Sequence, residues 1–195
     1  MVTMASKEPR KKPRNGILGF TKWKQQAIEE LLKDDILMKL LKYGTSDCLS
    51  KPSLSQYERE SLVHDQIYDY SFVDHISEEK KSYISMGFSN FVPQEGFRQF
   101  SDDYIQGYFY MYILVDRSII ETDTGCRNDL IAGRVYELFQ EKRIFGMGET
   151  RVEACIEIRE QSSGYMGYTL GFKVVDLKWW KSIQETFYSM SQSNL

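Results

Sequence analysis

Cysteine, proline and histidine are scarce in these 195 residues. The three cysteines, Cys48, Cys126 and Cys155, are odd in number and widely spaced, which excludes a disulfide framework and a C-x-x-C metal pair. Free thiols fit synthesis in a reducing compartment. No apolar run reaches the roughly 18 residues that a membrane helix needs, and the N-terminus has no apolar signal core, so neither a membrane span nor a secretory signal is read. The two histidines, His64 and His75, have no serine or cysteine at a spacing that suggests a triad. The glycines of "FGMGE" and "GYMGYTLG" lack the Gly-Lys-Ser/Thr of a phosphate loop and the strand-then-helix setting of a dinucleotide fingerprint, so they read as turn and strand glycines. The acidic turn "SDDY" (Asp102, Asp103) reads as a solvated turn, and no metal site or cofactor is assigned. Nothing in the chain asks for catalysis, and the expectation is a protein that is not an enzyme.

What the chain does hold is aromatic surface, with 13 Tyr and 11 Phe. In "GYFYMYILVD" (107–116), Gly107, Phe109, Met111, Ile113 and Val115 alternate with Tyr108, Tyr110, Tyr112 and Leu114, the period of a β-strand. Three tyrosines occupy the face that a half-buried strand usually gives to charge, and what covers them is the first question. Charge is also uneven. Formal net charge is −3, yet residues 1–14 carry Lys7, Arg10, Lys11, Lys12 and Arg14 against Glu8. The body is therefore more acidic than the total, unlike a duplex-binding domain with its basic stripe.

Along the chain, residues 1–16 read as a disordered basic arm. In 17–44, Trp23, Ala27, Leu31, Ile36, Leu37, Leu40 and Leu41 fall at helical spacing, with Thr21 as N-cap, Gly44 past the C-terminus and a bend at Asp34 and Asp35. Residues 44–65 form a long loop with a short helical turn at "SQYERESL". Ile84, Met86 and Phe88 mark a strand that Pro93 ends, and 94–103 is a wide loop before the tyrosine strand. Leu130, Ile131, Arg134, Val135, Leu138 and Phe139 mark a helix capped by Asp123 or Thr124. In "TRVEACIEIRE", Val152, Ala154, Ile156 and Ile158 are expected inside. In "YMGYTLGFKVVD" the inward set is Tyr168, Leu170, Phe172 and Val174, and "SSG" turns one strand into the other. The fold class is α+β: a four-stranded antiparallel sheet with two helices, in the order α-ββ-α-ββ. Residues 17–176 make a single domain, and 177–195 a C-terminal extension with an amphipathic helix.

The stretch "YILVDRSIIETDTGCRNDLIAGRVYELFQEKRIFGMGE", with "KKSYISMGFSNFVP" before it and "GYMGYTLGFKVVD" after it, resembles the tail-terminator and neck (head-to-tail connector) proteins of tailed bacteriophages. The shared elements are an aliphatic strand, a Thr-x-x-Gly-x-Arg-x-Asp turn (Thr122, Gly125, Arg127, Asp129), a helix, a Gly-rich exit and a final hairpin. The resemblance implies a structural virion protein made in the host cytoplasm. It would form a homo-oligomeric ring, usually a hexamer, at the head-proximal end of the tail. Its partners would be the tail tube or tail protein and the head-completion proteins, with genomic DNA passing through the ring and no membrane involved. On that reading Tyr108, Tyr110, Tyr112, Arg127 and Asp129 sit at the subunit interface. Glu153, Glu157 and Glu160 are lumen-facing candidates, since like charge keeps DNA from sticking. Arg10, Lys11, Lys12 and Arg14 would contact a partner or nucleic acid. The alternative is a small nucleic-acid-binding module using the basic arm and the exposed aromatics.

Overall fold

The computed structural model describes residues 19–71, 80–93, 104–146, 148–160 and 164–177. The basic arm, the loop 94–103 and the C-terminal helix expected from the sequence lie outside the described residues.

Helix α1 (Phe20–Lys33) buries Trp23, Ala27 and Leu31, a stripe with the four-residue spacing of one helix face. Its N-cap is Gly19, which offers no side-chain cap, and Thr21 lies inside the first turn instead of capping it. Aromatic packing sets the start: the Phe20 ring stacks on Phe88 of the sheet at 4.2 Å between centroids. Asp34 interrupts the helix as expected. It is extended, and its Oδ1 accepts the Leu37 N–H at 2.7 Å, which starts α2 (Asp35–Lys42). Gly44 is not among the positive-φ glycines, so it supplies no left-handed C′ turn. Helix α3 (Gln56–Glu60) opens with a capping box between Ser55 and Glu58. It is tied to the first two helices through Arg59, which donates to the Leu32 carbonyl at 2.9 Å and pairs with Asp35.

The principal sheet is five-stranded and mixed, not four-stranded and antiparallel. Strands β2 (Ser82–Pro93), β3 (Tyr104–Asp116), β6 (Arg151–Glu160) and β7 (Tyr165–Leu177) are the four expected, in the order β2-β3-β7-β6 with antiparallel pairing throughout. The fifth, β1 (Ile67–Tyr68), runs parallel to β2 at one edge. Two residues are too short to carry a periodic signal, and only the partner strand makes them a strand. A separate small hairpin joins β4 (Glu121–Thr122) to β5 (Gly125–Cys126). It takes up Asp123 and Thr124 in its turn, so neither caps α4 (Arg127–Phe139), whose N-cap is Cys126.

One apolar core lies between the helices and one face of the sheet. Leu31, Leu37, Leu40, Leu41, Ile131, Val135 and Phe139 from the helices meet Ile84, Met86, Phe109, Met111, Ile113, Val115, Leu170, Phe172 and Val174 from the strands. Gly167 lets β7 approach β3, since a Cβ there would lie 1.7 Å from the Ile113 carbonyl oxygen.

Candidate functional site

Among the described residues, α1, α2 and α4 pack on the aliphatic side of the sheet, α3 is tied to α1 and α2, and no described helix lies over the side that carries the tyrosines. The alternation of β3 thus has a plain physical meaning. Phe109, Met111, Ile113 and Val115 are buried under α1, α2 and α4, while Tyr108, Tyr110, Tyr112 and Leu114 are half-buried on the opposite face.

The tyrosines form a ladder, with ring centroids 5.9 Å apart between Tyr108 and Tyr110 and 6.3 Å between Tyr110 and Tyr112. Tyr110 has glycine on both flanking strands, Gly87 on β2 and Gly171 on β7. Its ring lies so close to Gly171 that a Cβ there would come within 2.8 Å of Cε1. Glycine neighbours let the ring lie over the sheet and give a broad, low aromatic surface. At one end this face closes, where Tyr68, Tyr83 and Tyr165 cluster with Tyr83 and Tyr165 only 1 % and 2 % exposed. Burial pushes the Tyr165 phenol up, away from ionisation. At the other end the Tyr108 hydroxyl donates to Glu153 at 2.9 Å, and Lys173 pairs with the same carboxylate at 3.1 Å. Burial opposes the Glu153 charge, but the hydrogen bonds from Lys173 and Tyr108 outweigh it and hold the carboxyl below its ordinary range. The Glu153 hydrogen bond raises Tyr108, and burial raises Tyr112.

Strand β6 departs from the expected inward set. The register shifts between Val152 and Ala154, a bulge at Glu153. Val152 still packs against the core, but Ala154 touches the Gly171 side of the tyrosine face. Ile156 and Ile158, paired with Thr169 and Gly167, follow Ala154 onto that face, and Ile156 is 58 % exposed. The bulge also separates two lumen candidates. Glu153 lies on the tyrosine face, whereas Glu157, opposite Tyr168, lies on the helix side of this edge strand. The Glu160 side chain lies outside the described residues, as do Arg10, Lys11, Lys12 and Arg14.

Arg127 is not on a surface. It is 0 % exposed, and its guanidinium donates to the carbonyls of Ile119, Leu40 and Tyr43 at 2.7 Å each and of Thr45 at 2.8 Å. Burial lowers its pKa from the ordinary arginine value. Asp129, two residues on, is exposed and accepts the Tyr168 hydroxyl at 2.8 Å, which pushes the Tyr168 phenol up to about 12. Thr122 bonds the Gly125 carbonyl at 2.7 Å. The Thr-x-x-Gly-x-Arg-x-Asp segment is therefore a clamp that fastens α4 to the end of α2 and to β7.

The family match covers this whole arrangement, from the Asp34 junction through α4 to the core half of β7: the model of the YomW family matches residues 34–174. The chain belongs to the YomW family. YomW is a phage-type family. Comparison with curated proteins gives no match. The YomW span includes the tyrosine ladder, the Arg127 clamp and the β6 bulge, and leaves out α1 with its aromatic contacts.

Sequence reasoning located the tyrosine ladder but not its extension across the sheet. The missing members, Ala154, Ile156 and Ile158, depend on a bulge that strict alternation along "RVEACIEIRE" does not announce.

Proposed function

We propose that this YomW protein is a structural virion protein that assembles as a ring at the head-proximal end of a phage tail, terminating the tail or joining it to the head connector. One observation carries the reading: a sheet face of Tyr108, Tyr110, Tyr112, Ala154 and Ile156 that no described helix covers. An interface core is enriched in tyrosine and depleted of lysine and glutamate, and this face gathers the charges of Arg151, Glu153 and Lys173 at one end. A head-to-tail ring uses two different surfaces per subunit, and rotation must close them. The tyrosine face serves as one of the two.

Mechanism here is assembly. The helix layer and its core hold the sheet rigid, so the face is presented ready-made and little ordering is required on docking. Acidic residues around a channel would let DNA pass without adhering.

The test is mass by light scattering after size exclusion, with negative-stain images of the same peak. A closed ring of about six subunits supports the reading. A monomer that also forms no ring when mixed with tail tubes sinks it.

A further inference from the structure

Where the edge strand β6 meets the loop after α4, a recess of about 580 Å³ opens, lined by Arg143, Arg151, Lys173, Glu149, Glu153 and Gly148 among others. Its charges are arranged against the usual rule for a sheet. Arg151 and Lys173 are cross-strand partners on β6 and β7, and like charges set opposite each other repel. The carboxylates do not resolve this. Glu153 is already shared between Lys173 and the Tyr108 hydroxyl, through different oxygens, and Glu149 lies 3.4 Å from Arg143. Arg151 has no carboxylate partner among the described residues. Glu153, two residues along the same strand, is committed to Lys173 and Tyr108 and does not neutralise the Arg151 fork.

Three cations therefore surround the recess against two carboxylates, both engaged, on a chain that is acidic overall. A phosphate group supplies what is missing, because its oxygens accept from the planar guanidinium fork of Arg151 and from the Lys173 ammonium together. The Tyr108 ring, with Tyr110 beyond it, borders this corner through the Glu153 bond and offers an aromatic surface next to the cations. Cations beside aromatic rings are the combination that holds nucleotide phosphates and their bases.

We infer that the recess binds the phosphate of a nucleotide, with Arg151 and Lys173 as its principal ligands and Tyr108 at the base side. The recess is built within one subunit, so binding by the isolated chain needs no ring, although it shares Tyr108 with the proposed ring interface.

Calorimetry on the full chain at low salt, with inorganic phosphate, adenosine monophosphate and a single-stranded thymidine oligonucleotide as separate titrants, tests it. Saturable binding of at least one titrant is expected, weakened about tenfold or more by Arg151→Gln and partly restored by Arg151→Lys. The order of affinities identifies the source: phosphate and mononucleotide equal for a free oxyanion, mononucleotide tighter for a base contact, the oligonucleotide tightest for a strand. Arg143→Gln, on an exposed side chain, is a second variant expected to weaken binding if Arg151→Gln fails to fold. Absence of binding by all three titrants overturns the inference. So does oligonucleotide binding that is equal in the parent, Arg151→Gln and Arg143→Gln proteins, because the basic arm is the same in all of them.

Discussion

The Tyr110 ring rests over Gly171 on the neighbouring strand, in space that any larger residue would claim. A Cβ at position 171 would meet the ring at 2.8 Å and the Ala154 Cβ at 3.1 Å, one neighbour able to swing away and the other fixed to the edge strand. Gly171→Val is expected to destabilise the fold by about 1–3 kcal/mol through overpacking. Pairing it with Tyr110→Ala should recover part of that loss in urea unfolding, and strict additivity of the two changes would mean that the ring is not the obstruction.

The same face gives an assembly prediction. Tyr110→Lys places a charge at the middle of the ladder, where an interface is dry, and should prevent ring formation while moving the thermal midpoint little. Light scattering of the variant beside the parent reads this directly. A ring that forms as before would remove the tyrosine face from the interface.

Arg127 satisfies four backbone carbonyls from two separate segments, 40–45 and Ile119. Arg127→Met keeps much of the volume but leaves those acceptors buried without donors, and should cost on the order of 3 kcal/mol or more. The urea midpoint measures it. A loss below about 1 kcal/mol would mean that water takes over the carbonyls.

Asp34 combines two roles that substitution can separate. Its carboxylate caps α2 through the Leu37 N–H and pairs with Arg134 of α4, with the Arg134 Nε at 3.3 Å. Asp34→Asn keeps a cap acceptor and loses the charge, whereas Asp34→Ala loses both. Expected losses are about 1 and about 2 kcal/mol respectively. Equal losses would assign the whole effect to one role.

Tyr168 should titrate late. The Asp129 hydrogen bond raises its folded pKa to about 12 from an ordinary value of 10. A folded pKa above the unfolded one means that the folded chain holds the proton more tightly, so this stabilisation is complete below pH 10 and is lost as pH rises toward about 12. Ultraviolet titration of phenolate should show one group moving down in Asp129→Asn and disappearing in Tyr168→Phe. An unchanged curve in Asp129→Asn would disprove the link.

Much of this architecture is written locally in the chain. The period of two in β3 and β7 and the Ile131–Val135 stripe of α4 identify both layers, because each residue's fate there follows from its immediate neighbours. Asp34 as a restart and the Ser55 turn are legible for the same reason. Four other features needed partners distant in sequence. Strand β1 exists only beside Ile84 and Ser85; Phe20 extends α1 because Phe88 awaits it; the Glu153 bulge reverses the sides of Ala154 and Ile156; and Arg127, at a helix start, reads as a surface cation until the carbonyls of α2 arrive. The recess is the extreme case, since it joins a loop to two strands and has no contiguous motif.

The Arg127 clamp also orders events during synthesis. Its guanidinium lies 87 residues downstream of Leu40, whose carbonyl it serves. A nascent chain that has completed α1 and α2 still holds the Leu40, Tyr43 and Thr45 carbonyls without their native donor, and domains whose contacts span long stretches of chain close late. The carbonyls at the end of α2 therefore wait for an arginine that follows the β4–β5 hairpin, later than the β2 aromatics that cover α1.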